Sequence, residues 1–168
     1  GDWGGLSVAA TARAVGGHSM GGGAAVLAAS MDPSIRTAAT LNAADTRPSS
    51  AAAAREVTAP LLLVAASEDR IAPVDLHQRP IFEAAAGPAQ LRIVEGGGHC
   101  GFLDRADLVG IVCGRPSLDA KTQRARGRVA LTAWLRALVM ADTAASGAAW
   151  RADPAGGDTL EVRGREPA

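Results

Sequence analysis

The chain has 168 residues, 48% of them hydrophobic and 20% charged, and its 17 basic and 17 acidic residues leave a formal net charge of zero. A neutral chain lacks the cationic surface that nucleic acid or an anionic membrane selects, and no long uncharged apolar span marks a membrane crossing. Aromatic residues make up only 3%, so a globular core has to be built from Leu, Val, Ile and Ala.

Residues 1–12 read as loop. Ala12-Arg13-Ala14-Val15-Gly16 is a short strand, and it runs into Gly17-His18-Ser19-Met20-Gly21-Gly22-Gly23. A G-x-S-x-G pattern between a strand and a helix-forming stretch is a nucleophile elbow, a sharp turn that lifts a serine hydroxyl to the top of a sheet. The strained turn brings its two arms together, so a Cβ two residues before or after the serine is expected to collide. Gly22 and Gly23 are expected to let the helix pack closely on its strand. The N–H of Met20 is aimed at the position of a developing oxyanion, with the helix N-terminus behind it. The helix runs from about residue 20 to 30 and stops near Asp32-Pro33.

Ile35-Arg36-Thr37-Ala38-Ala39-Thr40-Leu41 is the next strand. From Asn42 to Ala59 the chain is dominated by Ala, Ser and Thr, with enough at Ala51-Ala52-Ala53-Ala54-Arg55 for a short helix but no apolar face for a covering domain to bury. Pro60-Leu61-Leu62-Leu63-Val64-Ala65-Ala66 is a continuous apolar run, the mark of a strand buried on both faces. It ends in the polar loop Ser67-Glu68-Asp69-Arg70-Ile71-Ala72-Pro73-Val74. A helix over about 73–86 stops at Gly87-Pro88. Gln90-Leu91-Arg92-Ile93-Val94-Glu95 is a further strand, and it breaks into Gly96-Gly97-Gly98-His99-Cys100-Gly101, whose glycines free the loop to carry His99 towards Ser19. A long amphipathic helix covers about 123–140. Residues 144–168, rich in Gly, Ala, Pro and charge, read as a loosely ordered tail. The sum is about four parallel strands alternating with helices, an α/β layer system without internal repeats.

A hydroxyl is a weak nucleophile until a base takes its proton. Ser19, Asp69 and His99 follow one another in an order that suits such chemistry, each just beyond an expected strand. Glu68 is the alternative acid, but Asp69 directly precedes the Ile71-Ala72-Pro73 turn and is preferred. Asp75 reads as a helix N-terminal residue, His77 as a surface residue, and His18 as a packing or loop-orienting group beside the elbow. The three histidines and two cysteines show no metal-ligand spacing. A phosphate loop is excluded because it requires a lysine beside the glycines, and Lys121 is distant. Cys100 and Cys113 could pair across a short loop or remain free thiols, so they leave the compartment open.

Four segments carry a family resemblance: the glycine-flanked Ser19 elbow, Glu68-Asp69-Arg70-Ile71-Ala72-Pro73-Val74, Gly97-Gly98-His99, and Ala133-Trp134-Leu135-Arg136 with Asp142-Thr143 beyond it. On these the chain resembles the polyester hydrolase and bacterial cutinase-like branch of the α/β-hydrolases, the PET hydrolases among them, and more broadly the dienelactone-hydrolase-like esterases. The resemblance implies Ser19 as nucleophile, Asp69 as orienting acid, His99 as base and Met20 as oxyanion donor. It implies no cofactor and no metal. Secretion is normal for the family and is what the resemblance implies, while a signal peptide is not observable in this chain. One departure stands out. These hydrolases carry a Pro-Trp pair after the strand that follows the elbow, and its ring clamps aromatic substrate; here the chain reads Leu41-Asn42-Ala43-Ala44-Asp45-Thr46.

The expectation is therefore the C-terminal half of an α/β-hydrolase fold without a cap domain, with residues 1–143 as a partial catalytic domain and 144–168 as the tail. The expected activity is carboxylic ester hydrolysis on bulky or polymeric esters. The alternatives are an acyltransferase or thioesterase using the same three residues, or a hydrolase fragment of little activity. About one strand precedes Ser19, so the earlier strands and the first oxyanion donor of such a fold are expected to lie upstream of Gly1.

Overall fold

A computed structural model describes residues 12–104, 113–151 and 157–164. Its centre is strand β3 (Leu61–Ala66), whose six residues are all buried. Alternate side chains serve opposite faces of a strand, and here both faces are covered. Leu61, Leu63 and Ala65 join one apolar cluster, while Leu62 and Val64 join another. That double burial explains the continuous apolar run in place of an alternating one.

The sheet runs β1 (Arg13–His18), β2 (Ile35–Leu41), β3, β4 (Ala89–Val94) and β5 (Asp158–Arg163) in spatial as well as chain order. The first four strands are parallel, and β5 is antiparallel to β4. Helices α1 (Met20–Met31), α2 (Ser50–Ala53) and α3 (Gln78–Ala84) lie on one side. Val26 of α1 and Ile81 and Phe82 of α3 pack there against Leu61, Leu63, Leu91 and Ile93. Helices α4 (Ala120–Leu138) and α5 (Thr143–Ala149) cover the other side, where Trp134 and Trp150 meet Leu62, Val64 and Val94. Trp134 is fully buried, and its indole N–H donates to Thr37 Oγ1 of β2 at 2.7 Å. Its ring centroid lies 4.7 Å from that of Trp150. Burying a side chain of this size contributes about 1.5–3 kcal/mol or more, and the indole bond fixes where along the sheet α4 sits.

Three expectations need correction. Residues 144–168 are not a loose tail where they are described: they supply most of α5 and the whole of β5, a fifth strand added to the expected four. Thr159-Leu160-Glu161-Val162-Arg163 has the alternation of a strand, but its anchors are distant in sequence. Arg79 of α3 grips both oxygens of Glu161 at 2.9 and 3.0 Å, and Arg126 of α4 reaches Asp158 at 3.2 Å. The helix expected over 73–86 is shorter, a 3-10 turn Val74–Leu76 followed by α3. The long helix begins slightly earlier than expected, because the Asp119 side chain caps it by accepting the Thr122 N–H, and it ends slightly earlier too, at Leu138.

Between β2 and β3 the chain carries α2 and a 3-10 turn, Ala54–Glu56, as its only helical elements. No described helix is long and apolar enough to cross a membrane.

Candidate active site

Parallel strands with right-handed crossovers deliver their C-terminal ends to one edge of the sheet, where α/β folds place ligands. β1, β3 and β4 each end there, and each end carries one of the three residues singled out above.

Ser19 follows β1 with φ 57° and ψ −123°, a left-handed conformation that costs a non-glycine residue energy. The surroundings over-determine it. Its N–H donates to Leu41 O at 3.0 Å, and its carbonyl accepts from Gly22, Gly23 and Ala44 N–H at 2.9–3.2 Å. A Cβ on Gly17 would run into the Gly21 carbonyl, as the turn requires. Gly21 differs from expectation: among the described residues nothing lies within 4 Å of where its Cβ would be. Gly23 is needed for a different contact from the one expected, and Gly22 for the expected one and a second. A Cβ on Gly22 would meet Ala43 and also the Gly17 carbonyl of β1 at 3.2 Å, the close helix–strand approach that was expected; one on Gly23 would meet Ala44 and Thr46 in the loop after β2. Met20, first residue of α1, has an exposed side chain and an N–H without an intrahelical acceptor.

Asp69, 5% exposed, lies in the loop after β3. Its Oδ1 accepts the N–H groups of Ile71 and Ala72, both at 2.8 Å, which is the work of the Ile71-Ala72-Pro73 turn. Its Oδ2 lies 2.7 Å from His99 Nδ1. His99 Nε2 in turn is 2.9 Å from Ser19 Oγ. A carboxylate has no proton to give, so Nδ1 carries the hydrogen and Nε2 is free to accept from the serine hydroxyl. Glu68 points elsewhere: its carboxylate holds the N–H and hydroxyl of Ser117 at 2.8 and 2.7 Å. These two bonds, the Ser117 hydroxyl foremost, keep the Glu68 carboxyl below the usual carboxylate range.

His18 is half-buried with its ring centroid 4.7 Å from that of His99. Its Nε2–H donates to the His99 carbonyl at 2.9 Å. Burial, foremost, pushes the His18 pKa down and favours the neutral ring. His77, expected at the surface, is partly buried, and its Nδ1 accepts the Asp45 N–H at 3.0 Å. Asp75 pairs with Arg79 at 2.9 Å in the turn before α3. Cys100 and Cys113 are bonded, which ties the turn that follows His99 to the segment before α4. Among the described residues no group of His, Cys, Asp or Glu is arranged to hold a metal ion.

Sequence reasoning passes over two buried amides here. Asn42, with φ 45°, donates from Nδ2 to the carbonyls of Gly98 and His99 at 3.3 and 3.1 Å. Gln123 of α4 bonds to both backbone groups of Gly98. The only sequence signal for Gln123 is a polar residue on the buried stripe of a helix; for Asn42 it is a polar residue directly ending a buried strand.

A family model described as PET hydrolase-like matches residues 6–108, a span that contains Ser19, Asp69 and His99. The chain is also 35% identical over 86 residues to Cutinase est2 of Thermobifida alba, an alignment covering 51% of this chain and 27% of that relative. The chain thus corresponds to little more than a quarter of that relative's length.

Proposed function

The chain belongs to the PET hydrolase-like family, and on that premise we propose that it is a serine carboxylic ester hydrolase working through an acyl-enzyme. The observation that carries the proposal is the unbroken hydrogen-bonded series Ser19 Oγ, His99, Asp69, with separations of 2.9 and 2.7 Å. In this reading His99 Nε2 takes the Ser19 proton as Oγ attacks the ester carbonyl. Asp69 holds the imidazole in the required tautomer and stabilises the imidazolium. The Met20 N–H, at the positive end of α1, stabilises the tetrahedral oxyanion. His99 then gives its proton to the departing alcohol, and water repeats the sequence on the acyl-enzyme to release the acid.

Bulky or polymeric esters are the proposed substrates. The support is the sparse segment between β2 and β3, with only four residues of α-helix and a single 3-10 turn. Leu41-Asn42-Ala43-Ala44-Asp45-Thr46 stands where related hydrolases carry an aromatic clamp, so the proposal does not extend to a preference for aromatic polyesters.

The test is a phosphonate ester probe applied to this chain or to a longer protein containing it. Labelling is expected at Ser19 and is expected to vanish in Ser19→Ala. An adduct that persists on the alanine variant overturns the assignment. For the substrate class, turnover confined to small dissolved esters, with long-chain and polymeric ones untouched, counts against an open site.

A further inference from the structure

We infer that Gln123 and Asn42 are positioning residues that fix His99 by clamping the backbone of Gly98 and His99, an inference that rests on the proposed role of His99. Gly98 has φ −122° and ψ 173°. In so extended a residue the N–H and C=O point to the same side, as they do at the edge of a strand. A primary amide offers an acceptor and a donor on one edge, so a single Gln side chain satisfies both. Gln123 Oε1 accepts the Gly98 N–H at 3.0 Å, and Gln123 Nε2 donates to Gly98 O at 2.7 Å. The amide orientation follows from the partners, since a backbone N–H needs an oxygen and a carbonyl needs a hydrogen.

Asn42, just past the end of β2, adds a second grip from a separate element. Its Nδ2 donates to Gly98 O at 3.3 Å and to His99 O at 3.1 Å, and the His99 carbonyl also receives the His18 bond at 2.9 Å. Two successive carbonyls at the base are therefore each held by two side-chain donors. Asn42 adopts a left-handed φ of 45°, and its buried Oδ1 has no hydrogen-bond partner among the described residues. Both features are costly, and both occur at the residue whose Nδ2 holds the His99 loop.

The glycines fit the same account. Three successive glycines lose more backbone entropy on ordering than other residues would, so a His carried on them needs external restraint. A Cβ on Gly97 would sit 3.0 Å from the Gln123 amide, and one on Gly101 would overlap it. Gly97 and Gly101 are glycine where Gln123 lies against them, whereas a Cβ on Gly96 would meet Ser117 and one on Gly98 would meet Pro116. Gln123 is delivered there by α4: it lies 11 residues before Trp134, three helical turns along the same face, and Trp134 is bonded to Thr37 of β2.

The experiment compares Gln123→Met, which keeps length and removes both bonds, with Asn42→Asp, which keeps shape and removes the donor. Gln123→Glu retains the acceptor for Gly98 N–H and replaces Gln123→Met if that variant does not fold. The expected result is a fall in kcat of about 10²-fold, the scale of a misplaced catalytic group, with KM within about twofold because the clamp touches no substrate. The second readout is the NMR resonance of the His99 Nδ1–H shared with Asp69, recorded on the Ser19→Ala background. It is expected to broaden or shift upfield in the clamp variants, and that readout requires no turnover. Folded variants that keep both the wild-type kcat and the wild-type resonance overturn the clamp. Turnover that survives Ser19→Ala overturns the hydrolase reading instead and leaves the imidazole resonance to decide the clamp.

Discussion

The two carboxylate oxygens of Asp69 face different partners: Oδ1 accepts the Ala72 and Ile71 N–H groups, and Oδ2 meets His99 Nδ1. The carboxylate is thereby fixed in rotation before it meets the imidazole. In Asp69→Asn the side-chain oxygen is expected to stay on the two N–H groups and turn its NH2 to His99. Nδ1 must then accept, the proton moves to Nε2, and Ser19 loses its base. Ester turnover is expected to fall by about 10⁴-fold with little change in thermal stability. A variant with near wild-type kcat would show that Asp69 does not set the tautomer.

Gly17 and Gly21 flank Ser19 symmetrically in sequence but differ in space. Gly17→Ala puts a Cβ against the Gly21 carbonyl and is expected to cost about 1–3 kcal/mol or more through displaced backbone. Gly21→Ala meets no described atom within 4 Å and lies in α1, where Gly is destabilising by about 0.5–1 kcal/mol relative to Ala. Denaturant melts are expected to show the first variant destabilised and the second neutral or stabilised. Equal losses would contradict the geometry.

The Cys100–Cys113 disulfide closes a short loop of 13 residues' separation between His99 and α4. Loop-closure arguments give about 3 kcal/mol for a loop of this size. Reduction with dithiothreitol, or the pair Cys100→Ser with Cys113→Ser, is expected to lower Tm by several degrees. An unchanged melt under full reduction, checked by thiol titration, would remove the bond from the stability account.

His18 is held neutral chiefly by burial, aided by repulsion from His99 and opposed by its bond to the His99 carbonyl and by Asp69. Its folded pKa lies below the ordinary value near ~6.5, so the unfolded chain binds the proton more readily. The stability it contributes is fully present above that ordinary value and is lost as pH falls through the folded pKa. Wild-type unfolding free energy is expected to decline below pH ~6.5 more steeply than that of His18→Gln. Parallel profiles for the two proteins would show that His18 does not titrate in this way.

How much of this is legible in the sequence differs by element. β3 declares itself because a buried parallel strand reads as an apolar run, β4 because Leu91, Ile93 and Val94 stand between two glycine-bearing breaks, and the turn at Ser19 because it needs a glycine at position 17. The ordering of Ser19, Asp69 and His99 just past three strand ends is likewise local, since a parallel sheet gathers those ends at one edge. β5 was hidden because its pairs, Arg79 with Glu161 and Arg126 with Asp158, join residues far apart in the chain.

The sequence by itself determined what local sterics and periodicity can encode: an α/β chain, a glycine-flanked turn at Ser19, and candidate acid and base in loops after buried strands. Only the tertiary structure decided between Glu68 and Asp69 as the neighbour of His99, because adjacent carboxylates diverge to Ser117 on one side and the imidazole on the other. The same holds for Asn42 and Gln123, whose amides reach the Gly98 backbone from separate elements. A hydrogen bond between elements depends on where packing puts them, and that position belongs to the whole sheet, not to any stretch of residues.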